Sequence, residues 1–377
     1  MRRFLFLALS AVLASSSTAW CHPWFPWFHH RGSGAVYTMT NAKSGNAILR
    51  FHRSPQGALS PAGSFATGGA GTGAGLGNQG GLVLTWGNRR LLAVNAGSDE
   101  ISVFAVWRGG LRLLDKVSSG GKNPVSIAVH GRLVYVLNAG GAVSDQDNIT
   151  GFRMDWHGRL TPIPNSTRSL SAAATGPAQV GFSPDGRVLV VTEKGTNNLV
   201  TFTVDFAGRP GARRIIASSG PTPFGFAFAR RDRLLVTEAS GGGLSSVSSY
   251  QASRNGALVP ITASLATKQK ATCWLAVTRN GRFAYTTNTA SSSVTGLRVD
   301  RRGRLALLDA NGQSGSTGPN SRPIDMAFSS GDRFLYTLNG GNGTISAFRM
   351  QAHGSLHSLA MAAASGLPSG ANGLAAH

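Results

Sequence analysis

Residues 177–204 read PAQVGFSPDGRVLVVTEKGTNNLVTFTV, and the order of these pieces decides the fold. A short apolar run reaches Asp185-Gly186, a pair that tolerates positive φ and closes a tight hairpin. A second run, LVVTE, ends on Glu193 and enters a Gly/Thr/Asn loop, after which the alternating run LVTFTV returns. Outward from this stretch the same signature recurs, with anchors at Asn41, Asn95, Asn138, Glu193, Glu238, Asn288 and Asn339. Successive anchors lie 54, 43, 55, 45, 50 and 51 residues apart, a period that marks repeated supersecondary units. Each unit also carries a weaker fourth run, such as LRLLDKV at 111–117. Four short strands per period predict one β-propeller blade, and seven anchors predict seven blades. Helical periodicity is absent beyond the N-terminus, and 50 Gly in 377 residues suit a chain of hairpins.

The two ends complete each other. Six anchors follow an inner-strand run, but Asn41 follows only a linker, and the missing copy stands at 371–376 as ANGLAA. The expected architecture is therefore all-β: seven four-stranded antiparallel blades over residues 35–377, the ring closed by the C-terminal strand. Closure of this kind leaves no unpaired edge between the first and last blades. Residues 1–19 carry a basic start, an apolar stretch too short to span a bilayer, and small residues at 17–19, which together predict a signal peptide. An aromatic and His-rich tether, residues 20–34, follows. No other apolar run approaches membrane-spanning length, so a secreted or periplasmic monomer is expected. Cys21 and Cys273 are the two cysteines; export permits a bridge, but sequence leaves their proximity open.

Lys and Arg number 36 against 15 Asp and Glu, a formal charge of +21. Their placement is uneven. Arg89, Arg132, Arg187, Arg231, Arg282 and Arg333 fall in or beside turns between first and second strands, and Arg108, Arg159, Arg209 and Arg301 beside turns between third and fourth. In a propeller both classes lie on one face, so a cationic face opposes a near-neutral one rich in Gly, Ser and Asn. Such a face solubilises hairpin tips, or else marks a non-catalytic propeller that holds an anionic envelope polymer or a protein partner. No DNA-binding motif accompanies it, so sequence-specific nucleic-acid recognition is not expected. No motif calls for a cofactor or a bound metal. The glycine-rich run TGGAGTGAGLGNQGG at 67–81 lacks phosphate-loop spacing and reads as a connector or lid over the channel mouth.

The runs GPAQVGFSPDGRVLVVTE, CWLAVTRNGRFAYTTN and PIDMAFSSGDRFLYTLNGGNGTISAF resemble repeats of the lactonase-type seven-bladed propeller family. That family includes cycloisomerase 6-phosphogluconolactonases, carboxymuconate-lactonizing enzymes and related YVTN-type repeats. The resemblance implies opening or binding of a small lactone or sugar acid at the central channel; for an exported protein an unphosphorylated ligand is expected. Catalytic relatives place an Arg-His pair at the start of an inner strand, where this chain has Ala178 and Gln179. Lactone opening needs an activated water and a donor at the developing oxyanion. Glu193 and Glu238, on neighbouring blades, are the candidate catalytic pair, since two acids at one cavity raise one another's pKa. Lys194 and Arg322 are candidate cations for the substrate, and Gln79, Gln179, Asp325 and Trp274 candidate residues for positioning or stacking on a hydroxylated ring. The same acids, read structurally, satisfy a turn, as the five Asn anchors do.

Overall fold

The computed structural model describes residues 32–141, 146–359 and 363–377. The expected signal peptide, most of the tether and Cys21 lie outside the described residues, as does Asp145 in the loop before Asp147.

Alternating apolar residues and tight turns fold into seven antiparallel sheets arranged as blades. Blade one takes its innermost strand from the far end of the chain: Asn372–Ala376 pairs with Gly34–Met39, followed by Ala47–Arg53 and Leu59–Ala66. Blades two to seven begin at Leu82–Leu84, Pro124–His130, Pro177–Phe182, Pro223–Ala229, Thr272–Val277 and Pro323–Phe328. Closure is in register, with Val36 opposite Ala376 and Thr38 opposite Leu374. In blades three and six the outer strand is broken into two short pieces, both paired to the third strand.

Second strands form the floor of the core. Leu189, Val190 and Val191, like Leu234, Leu235 and Val236, are buried on both faces because each sheet is sandwiched between its neighbours. Junctions between blades are fastened by a repeated polar contact at their outer part. Tyr135 donates to Gly208 O at 2.6 Å, Thr201 to Gly256 O at 2.7 Å and Ser249 to Gly303 O at 2.7 Å. Tyr336 donates to Gly57 O at 2.8 Å, which carries the same clasp across the closure from blade seven to blade one. The accepting glycines sit at positive φ, +82° at Gly208 and +97° at Gly57, in the turn before the fourth strand. That conformation turns the carbonyl toward the preceding blade and would strain any residue with a Cβ.

Candidate functional site: the central channel

Of the six innermost strands that precede their partners in the chain, four start with Pro and the other two with Leu and Thr, and most are bulged at once. Register shifts fall between Pro124 and Ser126, Pro177 and Gln179, Pro223 and Phe226, and Pro323 and Asp325. A bulge re-aims the side chain that follows it. Here the re-aimed residue reaches the inner strand of the next blade. Ser126 Oγ accepts Val180 N–H at 3.1 Å; Gln179 Oε1 accepts Phe226 N–H at 2.7 Å; Asp325 Oδ2 accepts Leu374 N–H at 2.8 Å. The result is a polar belt around the axis.

Blade five has Gly225 at the belt position, and the gap is filled from elsewhere. Gln79, from the glycine-rich run, accepts Leu275 N–H at 3.0 Å and donates to Leu275 O at 2.7 Å. A Cβ on Gly225 would lie 2.2 Å from Gln79 Oε1, so only glycine leaves room. Gln79 N–H also donates to Ala178 O at 3.0 Å, Ile127 N–H to Gly80 O at 2.8 Å, and Trp274 Nε1–H to Asn78 O at 2.7 Å. Residues 77–80 thus cross the channel and are bonded to blades three, four and six. The run expected as a connector or lid over the channel mouth connects blade one to blade two, and its residues 77–80 form an internal plug.

On the other side of this plug the axis opens into a cavity of about 470 Å³. Its wall comes from Gln79 and Gly80 and from the inner strands of blades one, two, three, four and seven, ending at His130, Ser183, Pro184 and Phe328. These ends adjoin the turns between first and second strands, so the mouth lies on the arginine-rich face. The lining holds two ionisable side chains, Asp325 and His130, and no lysine or arginine. Burial pushes the Asp325 carboxyl up to about 8, although the amides of Met326 and Leu374 favour its charged form. Near neutral pH it is therefore mostly a carboxylic acid. His130 is the last residue of an inner strand, its ring 5.7 Å from that of Phe182. The signal lay in PVSIAVH, where His130 directly precedes the Gly131 turn.

The expected acid pair is not at this cavity. Glu193 and Glu238 are fully buried, and each is engaged within the blade body. Glu193 accepts from Ser171 N–H at 2.9 Å and from the hydroxyls of Ser171 and Thr196. Glu238 accepts from Gly220 N–H at 2.8 Å, Ser248 Oγ at 2.6 Å and Ser264 Oγ at 3.1 Å, and from Ser246. Two of the Asn anchors do comparable work with donors and acceptors exchanged: Asn288 Nδ2 donates to Ser293 and Thr295, both at 2.9 Å, and Asn339 to Thr344 and Ser346 at 2.9 and 2.8 Å. Because a hydroxyl can donate or accept, either anchor type completes the blade. Glu193 is held by the loops at Ser171 and Thr196, and Glu238 by Ser246 and Ser248 of its third strand, Ser264 of its fourth and the Gly220 amide, which is why the pair does not line this cavity.

The remaining candidates separate. Gln79, Gln179 and Asp325 line the cavity, the two glutamines with both amide ends bonded to backbone. Lys194 and Trp274 stand on the plug's far side: Lys194 bonds Gly77 O and lies 5.1 Å from the Phe224 ring. Burial lowers the Lys194 ammonium to about 8. Arg322 is exposed, away from the lining. Cys273 is buried, its thiol pushed up to about 12 by burial, and it is bridged to no described residue. Asp147 organises its loop by accepting from Thr175 N–H at 2.6 Å and Gly141 N–H at 2.9 Å.

A family model described as lactonase, 7-bladed β-propeller, matches residues 160–242 and 233–372, together more than half of the chain. The chain belongs to this lactonase family. Similar solved structures include a 6-phosphogluconolactonase candidate from Bacteroides uniformis, 19% identical with TM-score 0.72, covering 90% of this chain and 99% of that one. A periplasmic gluconolactonase from Pseudomonas aeruginosa is 18% identical with TM-score 0.71, covering 90% and 98%. At these identities the solved structures establish the lactonase-family fold. A search of curated proteins found no match. Among the described residues no helix is long and apolar enough to cross a membrane.

Proposed function

We propose that this lactonase-family propeller is exported and binds and hydrolyses a small unphosphorylated lactone, or holds the corresponding sugar acid, in the cavity below the plug. The observation that carries this reading is the environment of Asp325: a titratable carboxyl on the wall of a cavity large enough for one sugar ring, held by two amides and raised toward neutrality by burial. The wall carries no cationic side chain that would offset a phosphate, which favours an uncharged lactone. Export rests on the composition of residues 1–19, and the Pseudomonas neighbour is named for a periplasmic gluconolactonase.

In the proposed reaction Asp325, once ionised, removes a proton from a water that adds to the lactone carbonyl. The tetrahedral intermediate expels the ring oxygen, which takes up a proton and leaves a hydroxy acid. His130 stands at the mouth, where it can contact the ring hydroxyls. The test is hydrolysis of a panel of unphosphorylated aldonolactones, followed as acid release, by wild-type protein, Asp325→Asn and Glu193→Gln. Loss of turnover in Asp325→Asn alone is expected. Turnover that survives Asp325→Asn but fails in a folded Glu193→Gln variant would overturn the assignment, and no turnover on any lactone would reduce the reading to ligand binding.

A further inference from the structure

Blades five and six present a second cavity, a cleft of about 550 Å³ on the arginine-rich face. Its wall contains Arg230, Arg231 and Arg233 from the first hairpin of blade five, Arg282 from that of blade six, and Arg298 and Arg301 around the second hairpin of blade six. The fold, not sequence proximity, gathers these three segments. Asp300 is the single acid on the wall, and its carboxylate is engaged by the amides of Arg302 and Arg304 and by the Arg304 guanidinium at 2.8 Å. None of the five ion pairs among the described residues includes any of the six arginines. Arg233 Nε is buried with no hydrogen-bond partner. Arg282 and Arg298 both lie against the Phe283 ring, each guanidinium 5.8 Å from its centroid.

Clustered like charges repel, and a buried Nε–H without an acceptor costs free energy. Solubility requires dispersed charge and gives no reason for six guanidinium groups in one concavity. We propose that this cleft is an oxyanion-binding site for a ligand carrying several closely spaced phosphate or carboxylate groups. Guanidinium forks match such groups two bonds at a time, and one monovalent anion would leave most of the charge unopposed. The cleft shares no lining residue with the axial cavity that opens on the same face, so an anionic ligand here and a neutral ligand in the channel occupy separate sites.

Titration calorimetry of the full chain at low salt tests this, with inorganic tripolyphosphate and trigalacturonate as probes for the two chemistries. Stoichiometric binding of at least one probe is expected, weakening steeply as chloride rises. The double variant Arg282→Gln/Arg298→Gln should bind at least ~10-fold more weakly, roughly the loss of one charge-assisted contact. The control Arg108→Gln/Arg159→Gln removes the same charge from other blades of that face and should change affinity less than about 2-fold if contact rather than diffuse charge matters. Equal losses in both double variants, or no saturable binding of either probe, would overturn the proposal. Preference for one probe assigns the oxyanion type. Lactone turnover does not enter this test, so its outcome is independent of the channel reading.

Discussion

Asp325 ties ionisation to both activity and stability. Its folded pKa of about 8 stands above the ordinary 3.8, so between roughly pH 4 and pH 8 the folded chain keeps a proton that the unfolded chain has released. Its contribution is therefore fully present at low pH, declines as pH rises through that window, and is lost above about 8. Asp325→Asn should flatten this decline, visible as a smaller fall in Tm between pH 5 and pH 9 than in wild type. Catalysis runs the other way, because the ionised form is the base: lactonase turnover should climb toward pH 8 and then level off. At Glu238 the residue-scale question is structural. Replacement by Ala strands several buried hydroxyls and opens a hole, costing about 2–4 kcal/mol in chemical denaturation, whereas Gln should recover most of it. Equal losses for Ala and Gln would show that the negative charge, rather than hydrogen bonding, matters there.

At the scale of elements, the plug and the inner strands hold each other. Gly225 and Gln79 form one unit, since the side chain missing from blade five is supplied by the run before blade two. Gly225→Ala should displace Gln79 and cost about 1–3 kcal/mol through overpacking, with faster amide exchange at residues 77–80. Gln79→Ala should leave the Leu275 amide unpaired at a similar cost of about 1–3 kcal/mol. If the two changes are combined, their effects should fall short of the sum, because each removes the same contact. Full additivity in that double-mutant cycle would separate glycine from plug. The blade strands themselves were legible, because period-two alternation and turn pairs are local. Which side chains meet across blades was not, because the belt is made by bulges that shift most inner strands by a residue.

For the whole molecule, closure is the decisive contact. Asn372–Ala376 is the innermost strand of blade one and also supplies the Leu374 amide that Asp325 binds. Truncation after Gly370 should open the ring, expose the edge of Gly34–Met39 and abolish a single cooperative unfolding transition, which circular dichroism melting would report. A sharp, wild-type-like melt for the truncated chain would contradict a ring sealed by this strand. The uneven arginine distribution is likewise a property of the assembled ring: residues 230–233, 280–282 and 298–301 meet only because neighbouring blades present the same face.

The sequence by itself determined the number of blades, their four-stranded form and the closing role of its last residues, because hairpins are encoded by nearest neighbours and the ring by counting them. It also marked lactonase kinship through the repeat consensus. Only the tertiary structure decided which polar groups face the axis. Glu193 and Glu238 turn into their own blades toward neighbouring hydroxyls, while bulges and a distant glycine-rich run set Asp325, Gln179 and Gln79 around the channel. The physical reason is that strand alternation fixes a side chain's face locally, whereas burial, and with it pKa and chemistry, depends on what the rest of the ring brings to that face.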